Sequence, residues 1–192
     1  VKVYQTLILL PYMISWVIGS YLIYAMLSSE TGLINQVIFK ALGIEPIVWY
    51  QEKKYWPFIL IIVNLWKSVG FSMVIYLASI VGINKEYYEA AKIDGARKWK
   101  QITNITLPLL KPTIFLVLML GAIDAFKEYP LILSLTGGGP GTSTTLMIQY
   151  IYQQGFEKLN VGYASAASIF MFIILFIFTS IQFKAAKGGA VE

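Results

Sequence analysis

Long apolar runs alternate with shorter polar segments along this chain. The apolar runs occupy residues 6–27, 57–81, 109–126 and 164–183. Each is close to the roughly 20 residues that an α-helix needs to cross about 30 Å of hydrocarbon. The pattern therefore predicts an all-α membrane protein, a polytopic bundle of four transmembrane helices that forms one domain over residues 1–192.

Composition supports this prediction. The 192 residues are 57% hydrophobic and 13% charged, with a mean hydropathy of +0.67, whereas soluble domains carry about 25% charged residues. The sequence contains neither cysteine nor histidine, which removes disulfides, thiolate metal sites and the commonest general base. The net charge of +5 is spread along the chain, so no nucleic acid partner is expected.

Basic residues predict the orientation in a prokaryotic inner membrane. Four spans place both ends of the chain on one side, and cytoplasmic segments are enriched in Lys and Arg. If both ends are cytoplasmic, the cytoplasmic side includes the loop 84–108, and the outer loops are 28–56 and 127–163. That arrangement places nine basic residues on the cytoplasmic side: Lys2, Lys85, Lys92, Arg97, Lys98, Lys100, Lys111, Lys184 and Lys187. It places five outside: Lys40, Lys53, Lys54, Lys127 and Lys158.

The second outer loop contains a Gly-rich stretch, SLTGGGPGTSTTLM, at residues 134–147. Clustered Gly and Pro predict a sharply turning backbone. A phosphate-binding loop is disfavoured because no strand precedes the stretch and the Lys of a P-loop is missing. A surface turn is the favoured interpretation.

The cytoplasmic loop is rich in charge and has its own helix signals. Asn84 is a candidate N-cap, followed by Glu86 in the first turn, where the helix dipole favours an acid. Gly95 is placed to end the helix in the left-handed conformation. A second amphipathic segment follows, and Pro108 is expected at the start of the next span. Trp99, Ile102 and Ile105 form its apolar face.

Small residues on the first of these helices suggest a contact surface. Ala90 and Ala91 would let another protein approach closely, with Glu89 beside them as a charged group. The alternative is a solvated loop whose charges only keep it out of the lipid. The residues alone leave both interpretations open.

The span 57–81 contains an unexpected cation. Lys67 lies about ten residues from Pro57, or about 15 Å along the helix, near the middle of the membrane. An ionisable residue at that depth is a functional candidate. Asn64, Ser68 and Phe71 share its helix face, a combination of polar and aromatic groups that suits a hydrated sugar.

A structural role for Lys67 remains open beside this transport role. In that interpretation Lys67 pairs with Asp124 or Glu128 for packing, and Asn64 hydrogen-bonds between helices.

The stretch EAAKIDGARKWKQITNITLP, residues 89–108, resembles the EAA motif of membrane subunits of binding-protein-dependent ABC importers. That motif reads Glu-Ala-Ala, three residues, Gly, nine residues, Ile-x-Leu-Pro, and every defining position is present here. PYMISWVIGSYLIYAML, GLINQ, LTGGGP and GYASAASIFMFII are also similar to the carbohydrate-type branch, particularly to polysaccharide and oligosaccharide permeases. The resemblance covers essentially the whole chain.

The resemblance implies a role for the loop and a set of partners. The loop would be the coupling helix that docks on a cytoplasmic ATPase, which itself binds ATP and Mg²⁺; no cofactor is expected in this chain. The other partners implied are membrane lipid, a second, different permease subunit, and an extracytoplasmic solute-binding protein. The family usually has six spans, so the start at Val1 is interpreted as the loss of the first two. The coupling residues would be Glu89, Ala90, Ala91, Asp94 and Gly95.

The resemblance also extends the candidate transport pathway. In maltose-type relatives the sugar is held by the region of Asn64, Ser68 and Phe71 and by the span before the Gly-rich loop. Gly121 and Asp124 are therefore added as candidates, while no family role transfers to Lys67.

Two other classes of membrane protein compete with this prediction. An ion-coupled secondary transporter would need intramembrane carboxylates or broken helices, for which Asp124 and Glu128 are the candidates, and it would leave the EAA motif unexplained. An intramembrane enzyme would need a pair of deep carboxylates, which the predicted spans do not contain. A non-enzymatic permease subunit is the favoured prediction.

Overall fold

The structure, a computed structural model, describes residues 2–188 and is all-helical over that range. The predicted cytoplasmic positions of residues 1 and 189–192 lie outside the described residues. The α-helices are α1 (Lys2–Met13), α2 (Trp16–Leu27), α3 (Lys40–Leu42), α4 (Trp56–Val81), α5 (Lys85–Ile93), α6 (Lys98–Gln101), α7 (Leu107–Lys127), α8 (Tyr129–Leu135), α9 (Met147–Tyr152) and α10 (Val161–Gly188). Shorter helical turns of other types cover Ile34–Phe39, Lys53–Tyr55, Ile102–Thr106 and Gln153–Glu157.

Three of the four predicted spans are continuous helices. The runs Lys53–Val81, Lys98–Lys127 and Val161–Lys184 are long and apolar enough to cross a membrane. They contain the predicted spans 57–81, 109–126 and 164–183. The prediction of an all-α membrane protein is therefore confirmed, and these three helices are its candidate spans.

The first predicted span, 6–27, is not one straight helix. It consists of α1 and α2, which meet at 98°. Pro11 has no backbone N–H to donate within α1, and a proline inside a helix weakens it. Ser15 then begins a new helix, because its Oγ accepts a hydrogen bond from the Ile18 N–H at 3.3 Å.

The chain divides into two compact units, each of which has its own packing. The first comprises residues 2–70 and 125–171. Its core lies where α2, the start of α4 and α8 meet, and Trp56 at its centre is completely buried. The buried members are Leu27, Trp56, Val63, Leu131 and Leu135.

Side-chain hydrogen bonds order the loop before α4. Asn35 is buried; its amide donates to the Ile47 carbonyl at 2.8 Å and accepts from the Trp49 indole at 3.2 Å. The Trp56 indole donates to the Trp49 carbonyl at 2.9 Å. Buried polar groups that are satisfied in this way fix the backbone around them.

The Gly-rich loop is more ordered than the predicted surface turn. Gly137 and Gly138 have φ values of 61° and 98°, which favour glycine. The buried Gln149 donates from Nε2 to the Gly137 carbonyl at 2.9 Å, and buried Thr144 Oγ1 lies 2.9 Å from the Gly139 carbonyl oxygen. Helix α9 therefore packs under the loop.

The second unit comprises residues 71–124 and 172–188. It contains the C-terminal part of α4, helices α5 to α7 and the end of α10. Ser79 and Thr113 join α4 to α7 through a hydroxyl pair at 2.7 Å. Large apolar side chains such as Phe172 and Phe176 are 64% and 62% exposed, as expected for helices that contact lipid or other subunits.

Candidate coupling loop and pathway residues

Helix α5 is capped at both ends as the sequence predicts. The Asn84 Oδ1 accepts a hydrogen bond from the Glu86 N–H at 3.1 Å. At the other end Gly95 has φ 74°, and the Ala96 N–H bonds the Ala91 carbonyl at 2.8 Å. This is the left-handed helix end that glycine adopts without cost. The caps give α5 fixed limits that do not depend on packing.

The residues of the EAA motif are presented at the surface of α5. Glu89, Ala90, Asp94 and Gly95 are exposed, and Ala91 is half-buried. Ile93 is 88% exposed at the end of the same helix. An isolated apolar side chain is common on protein surfaces, but here it lies beside small residues on a capped helix. The surface suits contact with another protein.

A side-chain hydrogen bond attaches α5 to the following helix, and another holds the turn between them. The Tyr88 hydroxyl lies 2.9 Å from Thr106 Oγ1, and the Gln101 amide donates to the Ala96 carbonyl at 2.9 Å. A recess of about 570 Å³ between α5 and the following helix is lined by three cationic residues, Lys92, Arg97 and Lys98. The loop is therefore positively charged, and α5 is bonded to the following helix, so a displacement of α5 would also displace that helix.

Pro108 is the second residue of α7, but helical structure precedes it. The helix begins ten residues earlier and runs without a break over Lys98–Lys127. A wide helical turn, Ile102–Thr106, directly precedes Pro108. Wide turns of this kind interrupt the regular hydrogen bonds of an α-helix. This one lies where Pro108, which has no backbone N–H, cannot donate such a bond.

The candidate pathway residues on α4 follow one helical stripe. Asn64, Lys67 and Ser68 are half-buried, and Phe71 is 39% exposed. The Ser68 hydroxyl donates to the Asn64 carbonyl at 2.8 Å within the helix. The hydroxyl keeps its acceptor lone pairs for another partner.

Lys67 makes contacts that the sequence did not predict. Its ammonium donates to the carbonyl oxygens of Pro11 at 3.4 Å and Tyr12 at 3.1 Å, and also to that of Ile14. It lies 4.8 Å from the centre of the Trp16 ring, and Glu128 is within electrostatic range. The hydrogen bonds go to the end of α1, where carbonyls are no longer bonded by the next helical turn; the Pro11 carbonyl also accepts the Ile14 N–H at 3.3 Å.

Gly70 explains how Lys67 reaches these carbonyls. It is buried one helical turn after Lys67, and a Cβ atom there would overlap the Ile8 carbonyl. The backbones of α1 and α4 therefore touch at Gly70. The spacing of Lys67 and Gly70 is a sequence signal for this contact, but it does not identify the partner helix.

Gly121 and Asp124, the remaining pathway candidates, lie near the end of α7. Both are exposed, and a Cβ atom at Gly121 would have open space around it. Their assignment to a transport pathway remains a prediction.

Proteins of known role are similar to this chain. The sulfoquinovosyl glycerol transport system permease protein SmoG of Agrobacterium fabrum is 37% identical over 159 residues, which cover 82% of this chain and 51% of that protein. The trehalose/maltose transport system permease protein MalF of Thermococcus litoralis is 34% identical over 185 residues, 96% of this chain and 62% of that protein. A bacterial alginate ABC transporter, solved in complex with an alginate pentasaccharide-bound periplasmic protein, matches with a TM-score of 0.85 and 33% identity, over 94% of this chain and 63% of that one.

The chain thus spans about half to two thirds of the length of these relatives. The family model described as binding-protein-dependent transport system inner membrane component matches residues 2–186, almost the whole chain. The chain belongs to the family of inner membrane components of binding-protein-dependent transport systems.

Proposed function

We propose that this chain is part of a permease subunit of a carbohydrate ABC importer, which forms a transport pathway and does not itself catalyse a reaction. The capped, surface-exposed helix α5 carries the proposal. Its small residues and Glu89 form a docking face, and the Tyr88–Thr106 hydrogen bond to the helix Lys98–Lys127 provides a route by which force from an ATPase reaches a span.

The substrate class rests on the relatives. Two relatives are named for sulfoquinovosyl glycerol and for trehalose and maltose, and a third for alginate. For this chain the class is a carbohydrate, with an oligosaccharide favoured. Asn64, Ser68 and Phe71 on α4, with Gly121 and Asp124 on α7, are the proposed pathway residues. The geometry of Lys67 favours a structural role for that side chain.

The partners follow from the same proposal. The chain works with a cytoplasmic ATPase that binds ATP and Mg²⁺, a second and different permease subunit, and an extracytoplasmic solute-binding protein. The solved alginate transporter was captured with its periplasmic protein. Loop 84–108 faces the cytoplasm in this arrangement, in agreement with the excess of nine basic residues over five.

Site-directed crosslinking tests this function. A single Cys replaces Ala91 in the full-length permease, from which any cysteine outside these 192 residues is removed, and the transporter is assembled with its ATPase. Crosslinking to a series of cysteines around the docking groove of the ATPase is measured with and without ATP. We expect crosslinks whose yield changes with ATP.

A matched control is Ala41→Cys, an exposed position in α3 on the predicted outer side, which should give no such crosslink. If Ala91→Cys gives no crosslink and stays freely reactive with a water-soluble maleimide, loop 84–108 is only solvated and the coupling role is wrong.

A further inference from the structure

A cavity outside the coupling loop and the pathway stripe lies within the first unit. It has a volume of about 310 Å³, is open on one side, and is bounded by α2, the loop before α4 and the end of α8. Small-molecule sites start at about this size. It is lined by Val17, Ser20, Tyr21, Tyr24, Tyr50, Ser134 and Leu135.

Tyr50 gives this cavity a hydrogen-bond donor. Its ring is held 4.9 Å from Trp56 and 5.6 Å from Tyr24, measured between ring centres. Its hydroxyl is buried and makes no hydrogen bond within the part of the chain that the structure describes. Burial, with a smaller effect of Tyr24, raises the pKa of Tyr50 to about 12. The hydroxyl is therefore protonated at neutral pH and has a proton to donate.

Two serines that also line the cavity supply acceptors. The hydroxyls of Ser20 and Ser134 lie 2.8 Å apart. Ser134 Oγ lies 2.5 Å from the Pro130 carbonyl oxygen, and Ser20 Oγ lies 2.7 Å from that of Trp16. Each hydroxyl has only one proton, and these protons are directed to protein oxygens. Lone pairs remain for a ligand.

The residues that line the cavity favour a neutral polyol as the ligand. A sugar hydroxyl both donates and accepts, so it matches a tyrosine donor beside serine acceptors. The faces of Tyr21 and Tyr24 offer flat apolar surface for a sugar ring. All seven lining residues are uncharged, so a carboxylate or phosphate would meet acceptor oxygens without a cation to balance it.

We propose that this cavity binds one neutral sugar ring of the transported carbohydrate, separately from the pathway face of α4. The proposal deepens the proposed function and rests on it. The cavity lies beside the end of α8, which leads directly into the Gly-rich loop. In the predicted orientation this is the outer side, where a sugar would arrive from the solute-binding protein.

Thiol protection tests binding directly. Val17→Cys and Ile18→Cys are made separately in the assembled full-length transporter; both parent residues are 57% exposed on α2, but only Val17 lines the cavity. The rate of reaction with a small uncharged methanethiosulfonate is measured with maltose, trehalose, cellobiose, raffinose or glucuronate. We expect at least one neutral sugar to slow labelling at Val17→Cys several-fold, with no effect at Ile18→Cys and none from glucuronate.

Tyr50→Phe tests the donor in transport. The substitution removes an oxygen that has no hydrogen-bond partner among residues 2–188, so the melting temperature should not fall. The KM for uptake of the protecting sugar should rise about 3- to 10-fold at unchanged kcat, the loss expected for one neutral hydrogen bond. Tyr4→Phe, at a 73% exposed residue outside the cavity, should change neither constant.

Three results would overturn the proposal: no sugar protects Val17→Cys, the thiol does not react because another segment fills the cavity, or Tyr50→Phe leaves KM unchanged. Failure of the proposed function has a different signature. In that case the unmodified transporter shows no ATP-dependent uptake of any of these sugars, whatever the protection experiment shows.

Discussion

Lys67 shows how one side chain can complete a helix end inside a membrane protein. An ammonium has three N–H donors, and the three carbonyls of Pro11, Tyr12 and Ile14 accept them. We predict that Lys67→Met lowers the free energy of unfolding by about 2–3 kcal/mol, because hydrogen bonds to charged groups are the stronger ones and the carbonyls would lose a charged donor. Thermal unfolding of the full-length protein in detergent micelles measures this.

Two variants make that measurement specific. Lys67→Arg keeps a cation with several donors and should retain most of the stability. Lys111→Met makes the same charge change at an exposed position on α7 and should have little effect. Equal melting temperatures for Lys67→Met and Lys111→Met would show that the carbonyl contacts do not matter.

Tyr50 predicts a pH dependence of stability. Its pKa in the fold is about 12, above the ordinary 10.0, so the folded state holds the phenol proton more tightly than the unfolded state. The resulting stabilisation is fully present below about pH 10 and is lost as the pH rises toward about 12. The difference in absorbance at 295 nm between the wild type and Tyr50→Phe should show a phenolate that appears near pH 12. A transition near pH 10 would contradict the burial of this hydroxyl.

Among the helices, those governed by length or local signals could be predicted from the sequence. Helices α4, α7 and α10 follow from apolar runs, and α5 follows from Asn84 and Gly95, whose effects are confined to one or two turns. These signals act between neighbours in the chain. They need no knowledge of the tertiary structure.

The break between α1 and α2 could not be predicted in this way. Pro11 is compatible with a kinked helix as well as with a broken one. The contacts that favour the broken form come from Lys67, more than 50 residues away in sequence. The cavity beside Tyr50 was missed for the same reason, because its walls come from α2, from α8 and from the loop that precedes α4. The sequence signal for this cavity is a group of hydroxyl-bearing residues, Ser20, Tyr21 and Tyr24, within an apolar helix.

Close helix packing gives a prediction for α1 and α4. A Cβ atom at Gly70 would overlap the Ile8 carbonyl and approach the Leu9 Cα at 3.0 Å. Backbone atoms cannot rotate away, so Gly70→Ala should destabilise the full-length protein by about 1–3 kcal/mol, as overpacking does. Gly121→Ala is the matched control, because nothing lies within 4 Å of the added atom and alanine favours a helix interior. Unfolding temperatures that change alike for both would argue against the backbone contact.

For the whole molecule, the orientation depends on how the bent pair α1–α2 is counted. Residues 2–188 contain three helices long enough to cross a membrane, or four if the pair is one span. Only the count of four returns both ends of the chain to the same side. The excess of basic residues in loop 84–108 and at the ends favours that count, because Lys and Arg are retained on the cytoplasmic side.

Single cysteines at Tyr4, Glu45 and Lys85 test this topology, since each position is exposed and the 192 residues contain no cysteine. A membrane-impermeant maleimide is applied to right-side-out and to inverted vesicles that carry the full-length protein. We expect Glu45→Cys to react in right-side-out vesicles, and Tyr4→Cys and Lys85→Cys in inverted vesicles. If Tyr4→Cys reacts from the same side as Glu45→Cys, the pair α1–α2 enters and leaves the membrane on one side. The break held by Lys67 would then be the tip of a re-entrant segment instead of a bend within a span.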